Sequence, residues 1–60
     1  MARNLLTLEE VATRIRKTPA ATRWLRHSGE LPAAAKIGGR LVWDEAVIDQ
    51  YIEDAFAEAS

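Results

Sequence analysis

The sequence predicts a small α+β domain in which two short helices precede a β-hairpin and a last helix, the order α-α-β-β-α. Three observations lead there. Two helix starts, Thr7-Leu8-Glu9-Glu10 and Thr18-Pro19, lie eleven residues apart, close enough for two helices joined by a tight turn. Two short apolar runs flank Gly38-Gly39, the signature of a two-residue hairpin. Residues 44–58 then carry an apolar stripe at helical spacing.

Residues 1–5 hold no periodic pattern and read as a loose arm. The first helix is placed at about 8–16. Thr7 as N-cap and Glu10 three residues on form a capping box, and Leu8, Val11, Ala12 and Ile15 recur at helical spacing. Arg14, Arg16 and Lys17 suit the negative end of its dipole. The second helix is placed at about 19–28. Thr18 caps it, Pro19 is preorganised for its first position, and Gly29 ends it. Ala21, Leu25 and Ser28 form its inner stripe, leaving Ala20, Arg23, Trp24, Arg26 and His27 on the outer and flanking faces. The hairpin spans about 35–43 with Lys36 and Arg40 on either side of its tip, and Trp43 belongs to the core. Asp44 caps the last helix, about 44–58, whose stripe is Val47, Ile48, Tyr51, Ile52 and Ala55. Asp49, Glu53, Asp54 and Glu58 fall on a solvated face, and Phe56 either closes the end of the core or is an exposed contact for another subunit. The whole, 1–60, is expected to be one domain. A chain of this size buries only about 60% of its unfolded surface, enough for one small core but not for a deep substrate cavity.

The function classes narrow quickly. Cysteine is absent, which removes disulfides, thiolate metal sites and cysteine nucleophiles. Apolar runs reach only three residues, far below the ~20 of a membrane span. No stretch has the length of a secretory signal, so a cytoplasmic protein is the default. A single histidine, His27, offers neither a metal site nor a triad, and Gly38-Gly39 lacks the spacing of a phosphate loop. No catalysis, metal, cofactor, small-molecule substrate or membrane partner is expected.

Charge points elsewhere. The net charge is −1, but residues 1–40 hold all eight basic residues against three acids, a net +5, while residues 41–60 hold six acids and no base. This asymmetry suggests a cationic face for a polyanion. A helix with an Arg-bearing outer face fits one major groove, and the guanidinium fork matches guanine O6 and N7. Arg23, one turn into the second helix, is the expected base reader, with Thr22, Trp24 or His27 next in line. Arg26 and Lys17 suit phosphates, and Lys36 and Arg40 suit the neighbouring minor groove or backbone. The candidate DNA interface is therefore Thr18, Ala20, Arg23, Trp24, Arg26 and His27 of the second helix, Lys36, Gly38, Gly39 and Arg40 of the wing, and Arg16 and Lys17 before the second helix. For Trp24, packing over the hairpin or first helix is favoured over contact with a base or sugar.

Leu6-Thr7-Leu8-Glu9-Glu10-Val11-Ala12, Ser28-Gly29-Glu30-Leu31-Pro32, Lys36-Ile37-Gly38-Gly39-Arg40 and Ile48-Asp49-Gln50-Tyr51-Ile52 occur in this order. Together they resemble the excisionase-type domains, MerR-like winged helix-turn-helix proteins, over about residues 5–53. Arg23-Trp24-Leu25-Arg26 is similar to the recognition helix of phage excisionases, and the short chain looks like the small excisionases of actinobacterial phages. The resemblance implies a recombination directionality factor without catalytic activity. Such a protein binds repeated sites in an attachment region of double-stranded DNA beside adjacent copies of itself, bends the DNA and biases a tyrosine integrase toward excision in a bacterial host. It also implies Arg23 in the major groove and Arg40 or Lys36 in the minor groove. Two departures stand out. Many members carry a β-branched or larger apolar residue near Ala21 or Thr22, so the second helix is expected to be thinly packed. Longer excisionases contact integrase through a basic tail, whereas here the last helix is acidic and another surface must serve. The rival readings are a small prophage-type transcriptional regulator of the same fold and an adaptor that binds a protein through the acidic last helix and Phe56.

Overall fold

The structure is a computed structural model and describes residues 3–59. Its elements are β1 (Leu5–Thr7), α1 (Leu8–Arg14), α2 (Pro19–His27), β2 (Ala35–Ile37), β3 (Arg40–Asp44) and α3 (Glu45–Ala59). The three strands form one antiparallel sheet in the order β1-β3-β2. This is the small α+β winged helix-turn-helix, with one strand more than the sequence pattern suggests.

The extra strand corrects the reading of residues 1–5 as a loose arm. Leu5 pairs with Asp44, Leu6 with Trp43 and Thr7 with Val42. Arg3 Nε lies 3.1 Å from Asp44 Oδ2, Asn4 Nδ2 donates to Glu45 Oε1 at 3.0 Å, and the Glu45 N–H donates to the Asn4 carbonyl at 2.9 Å. The remainder of that arm, residues 1 and 2, lies outside the described residues. The physical reason is that β3 has two edges. The hairpin satisfies one, and β1 supplies backbone partners for the other while placing Leu6 in the core.

Both helix starts are built as their residues dictate. Thr7 Oγ1 accepts from the Glu10 N–H at 3.2 Å and Glu10 Oε1 accepts from the Thr7 N–H at 2.9 Å, which closes the capping box. Thr18 Oγ1 accepts from the Ala21 N–H at 3.1 Å, and Pro19 opens α2. The two helix ends share one device. Beyond α1, the Lys17 N–H reaches the Ala12 carbonyl and the Arg16 N–H the Thr13 carbonyl; beyond α2, the Glu30 N–H reaches Leu25 and the Gly29 N–H reaches Arg26. Each is a Schellman closure around a left-handed residue, Gly29 (φ 84°) in one case and Arg16 (φ 58°) in the other. This closure ends α1 at Arg14, with Ile15 as its C-cap, rather than near residue 16.

Leu6, Val11, Leu31, Trp43 and Ile48 are buried, and Leu8, Ile15, Leu25, Ala34, Leu41, Tyr51 and Ile52 pack around them. Trp43 is the centre, 1% exposed, and its indole N–H donates to the Pro32 carbonyl at 2.9 Å. The inner face of α2 is rotated from the expected Ala21, Leu25 and Ser28. Thr22 is fully buried, Ala21 and Leu25 are half-buried, and Ser28 is exposed. Burial of Thr22 is possible because its hydroxyl donates to the Thr18 carbonyl at 2.9 Å, so no polar atom is left without a partner. Along α3, Ile48 is buried and Tyr51 and Ile52 are half-buried, but Val47 is 42% exposed and Ala55 is exposed. The stripe therefore meets the core over its middle only. Phe56, 70% exposed, does not close the core. Among the described residues no helix is long and apolar enough to cross a membrane.

Candidate nucleic-acid interface

The α2 helix presents its outer side because its inner side is committed to α1 and the core. At about 100° per residue, a helix packed through Ala21, Thr22 and Leu25 turns His27 most directly outward, with Arg23 and Ala20 about 30° to either side of it. Arg26 and Trp24 then fall on opposite flanks. Ala20, Arg23, Trp24, Arg26 and His27 are all exposed. Trp24 is 64% exposed, which overturns the expectation that it packs over the hairpin or first helix. The inner face of α2 is filled by smaller residues, so the bulky indole is left outside. Its one ring neighbour among the described residues is His27, at a centroid distance of 6.5 Å with the planes tilted by 33°. Thr22 is removed as a reserve base reader by its burial. Thr18 is exposed, and its hydroxyl already caps the helix.

The wing stands beside this helix. Gly38 and Gly39 both have positive φ, 59° and 81°, and join the paired residues Ile37 and Arg40 in a two-residue primed turn. Register fixes which way the wing cations face. Lys36 pairs with Leu41, two residues from the buried Trp43, so Lys36 lies on the sheet face that carries the core and α2. Arg40 pairs with Ile37 on the other face, next to the tip. Leu8, Arg23, Arg26, His27 and Leu41 line a shallow cleft between α2 and the wing. In the sequence, Leu8 and Leu41 belong only to the apolar pattern. The signal for Leu41 is its position opposite Lys36 in the hairpin.

Electrostatics divide the basic residues into two groups. Arg3 pairs with Asp44. Arg14 binds Asp49 Oδ1 through Nη1 at 2.7 Å and Glu45 Oε2 through Nη2. The hydrogen bonds from Asn4 and then Arg14 hold the Glu45 carboxyl below the usual carboxylate range. Part of the acidic helix is thus a counter-surface for α1 and the N-terminal segment, not only the solvated face that its sequence suggests. Arg16, Lys17, Arg23, Arg26, Lys36 and Arg40 make no ion pair among the described residues. They lie on the turn, on α2 and on the wing. All the residues expected to contact DNA are therefore on the turn, on α2 or on the hairpin, while the paired Arg3 and Arg14 face β3 and α3.

Two helices joined by a tight turn, the second open to solvent beside a hairpin wing, define a winged helix-turn-helix, an architecture of DNA-binding domains. The chain belongs to a helix-turn-helix domain family: the family's sequence model, described as a helix-turn-helix domain, matches residues 5–55. The match begins at the first residue of β1 and ends within α3. Neither a curated protein nor a solved structure gives a significant match.

Proposed function

We propose that this protein is a sequence-specific, DNA-bending binder of double-stranded DNA of the excisionase type. It occupies repeated sites in an attachment region and biases a tyrosine integrase toward excision. The observation that supports this reading best is the set of six unpaired cations on the turn, α2 and wing, beside a fold whose other two cations are neutralised internally. In the proposed complex Arg23 reads a base edge in the major groove, Arg26 and Lys17 hold phosphates, and Lys36 and Arg40 straddle the wing over the adjacent backbone or minor groove. Arg16, Thr18, Ala20, Trp24, His27, Gly38 and Gly39 complete the contact surface. The resemblance of the ordered motifs to excisionases carries the integrase role. An excision assay with the cognate integrase tests it. Excision that depends on this protein and is lost with Arg23→Ala supports the reading, and integrase that excises equally well without it refutes it.

A second reading has one observation in its favour. Phe56 is 70% exposed near the end of the acidic α3, which suits an adaptor that docks on a protein through that helix. A gel shift on random duplex at low salt separates the two, because the adaptor reading requires no retardation.

A further inference from the structure

Arg16 is the one described non-glycine residue with a positive φ, 58°. It occupies the position after the α1 C-cap, where the chain turns left-handed so that the Arg16 and Lys17 N–H groups can close the Schellman bonds. An L-residue there crowds its Cβ against the backbone, and glycine avoids the clash. The equivalent position after α2 is indeed a glycine, Gly29 (φ 84°). Among the described residues nothing compensates for the side chain of Arg16. It is exposed and makes no hydrogen bond or ion pair among the described residues. Arg14, two residues earlier, shows what compensation looks like, with a carboxylate on each arm of its fork.

We infer that Arg16 is held in this strained turn as a phosphate anchor, which clamps the DNA backbone at the entry of α2. The inference deepens the DNA-binding reading above by assigning a role to one residue of that surface. The turn connects the helix that crosses the backbone to the helix that enters the groove, so it lies at a groove wall. There the sugar–phosphate chain presents anionic oxygens that a guanidinium fork can bond in pairs. A glycine at the same place stabilises the fold and leaves the anchor out. Stability is therefore exchanged for binding at a single residue, as strained positions at functional sites commonly do.

The test uses three variants of the full chain, each measured for thermal stability and for affinity to a duplex across a salt series. Arg16→Gly is expected to melt higher by roughly 4–8 °C, because about one left-handed penalty is relieved in a domain of this size. It should also bind more weakly, with a log K against log salt slope shallower by about one unit, the signature of one phosphate fewer being neutralised. Arg16→Ala should release the same phosphate without the gain in melting temperature, and Arg16→Lys should keep the slope. If Arg16→Gly binds with the parental slope and affinity, the anchor is overturned. An Arg16→Gly variant that melts no higher than the parent removes the strain on which the inference rests. A parent chain that does not bind duplex at low salt is a different failure, since it overturns the DNA-binding reading together with the anchor.

Discussion

In the proposed complex, side chains on one nine-residue helix divide the work by angle. Arg23 lies within about 30° of the centre line of the outer face, beside His27, and Arg26 and Trp24 lie on opposite flanks. A helix in a major groove fills most of its width, so the centre meets base edges and the flanks meet the walls. Arg23→Ala is therefore expected to cost about 1–3 kcal/mol on the specific site and much less on random DNA. Arg26→Ala should weaken both in similar proportion. The check is a pair of affinities for each variant at one fixed salt concentration, and equal losses on both DNAs would reassign Arg23 to the backbone. Trp24 carries no charge, so its loss has a different signature. Its indole N–H has no acceptor among the described residues, unlike that of Trp43, which is bound to Pro32. Trp24→Ala should lower affinity on both DNAs while the salt slope stays at the parental value, because no counterion is released by a neutral side chain. An affinity equal to the parent's would leave the exposed indole without a part in binding.

The elements explain how those residues are held, and how much of this is legible in the sequence. Caps, the Gly38-Gly39 turn and the order of helices and hairpin are legible because each rests on local chemistry: a hydroxyl three residues from a glutamate, or two residues able to take positive φ. The first strand is not, since three residues that run straight into an N-cap leave no alternation to detect, and its partner lies some forty residues away. The phase of α2 is misleading in the sequence because Ala21 and Leu25 look more apolar than Thr22, and only the Thr18 carbonyl makes the threonine burial tolerable. The same distance in sequence hides the bracket formed by Arg14, Glu45, Asp49 and Asn4, which ties α1 and the segment before β1 to α3. A titration follows from it. Glu45 has its carboxyl pKa lowered in the folded state, so its ionised form stabilises the fold at pH values above the ordinary carboxylate range. That contribution is lost as pH falls through the lowered folded value. Glu45→Gln should thus lower the melting temperature at neutral pH, and the gap from the parent should close in strong acid. A gap that is constant with pH would show that the Glu45 charge does not stabilise the bracket. The wing gives a complementary case. Its turn depends on the two glycines and not on Arg40, so Arg40→Ala should keep the melting temperature and weaken duplex binding at moderate salt. Binding as tight as the parent's would remove Arg40 from the interface.

At the scale of the whole molecule, the charge asymmetry of the sequence becomes a partition. The acids of residues 41–60 absorb Arg3 and Arg14, and the six cations left over lie on the helix-turn-helix and wing. In the proposed complex a domain with one groove-reading helix covers a short stretch of DNA, and its acidic α3 leaves each copy with a cationic and an anionic region. On the proposed sequence-specific reading, useful specificity requires several copies side by side, and opposite charge would favour the acidic helix of one copy near a basic surface of the next. Two quantities measure this. If three to five of the free cations meet phosphates, log K should fall against log salt with a slope of roughly −3 to −5 per bound copy. On a natural array of direct repeats, the isotherm should be steeper than that for independent sites, and halving the array to one repeat should lower affinity per copy. Identical affinity per copy on one repeat and on the array would mean that neighbouring copies do not touch. Specificity would then rest on α2 and the wing of each copy alone, and a single Arg23 contact worth about 1–3 kcal/mol is too little to pick a short site from the roughly 10⁶ or more competing sites of a genome.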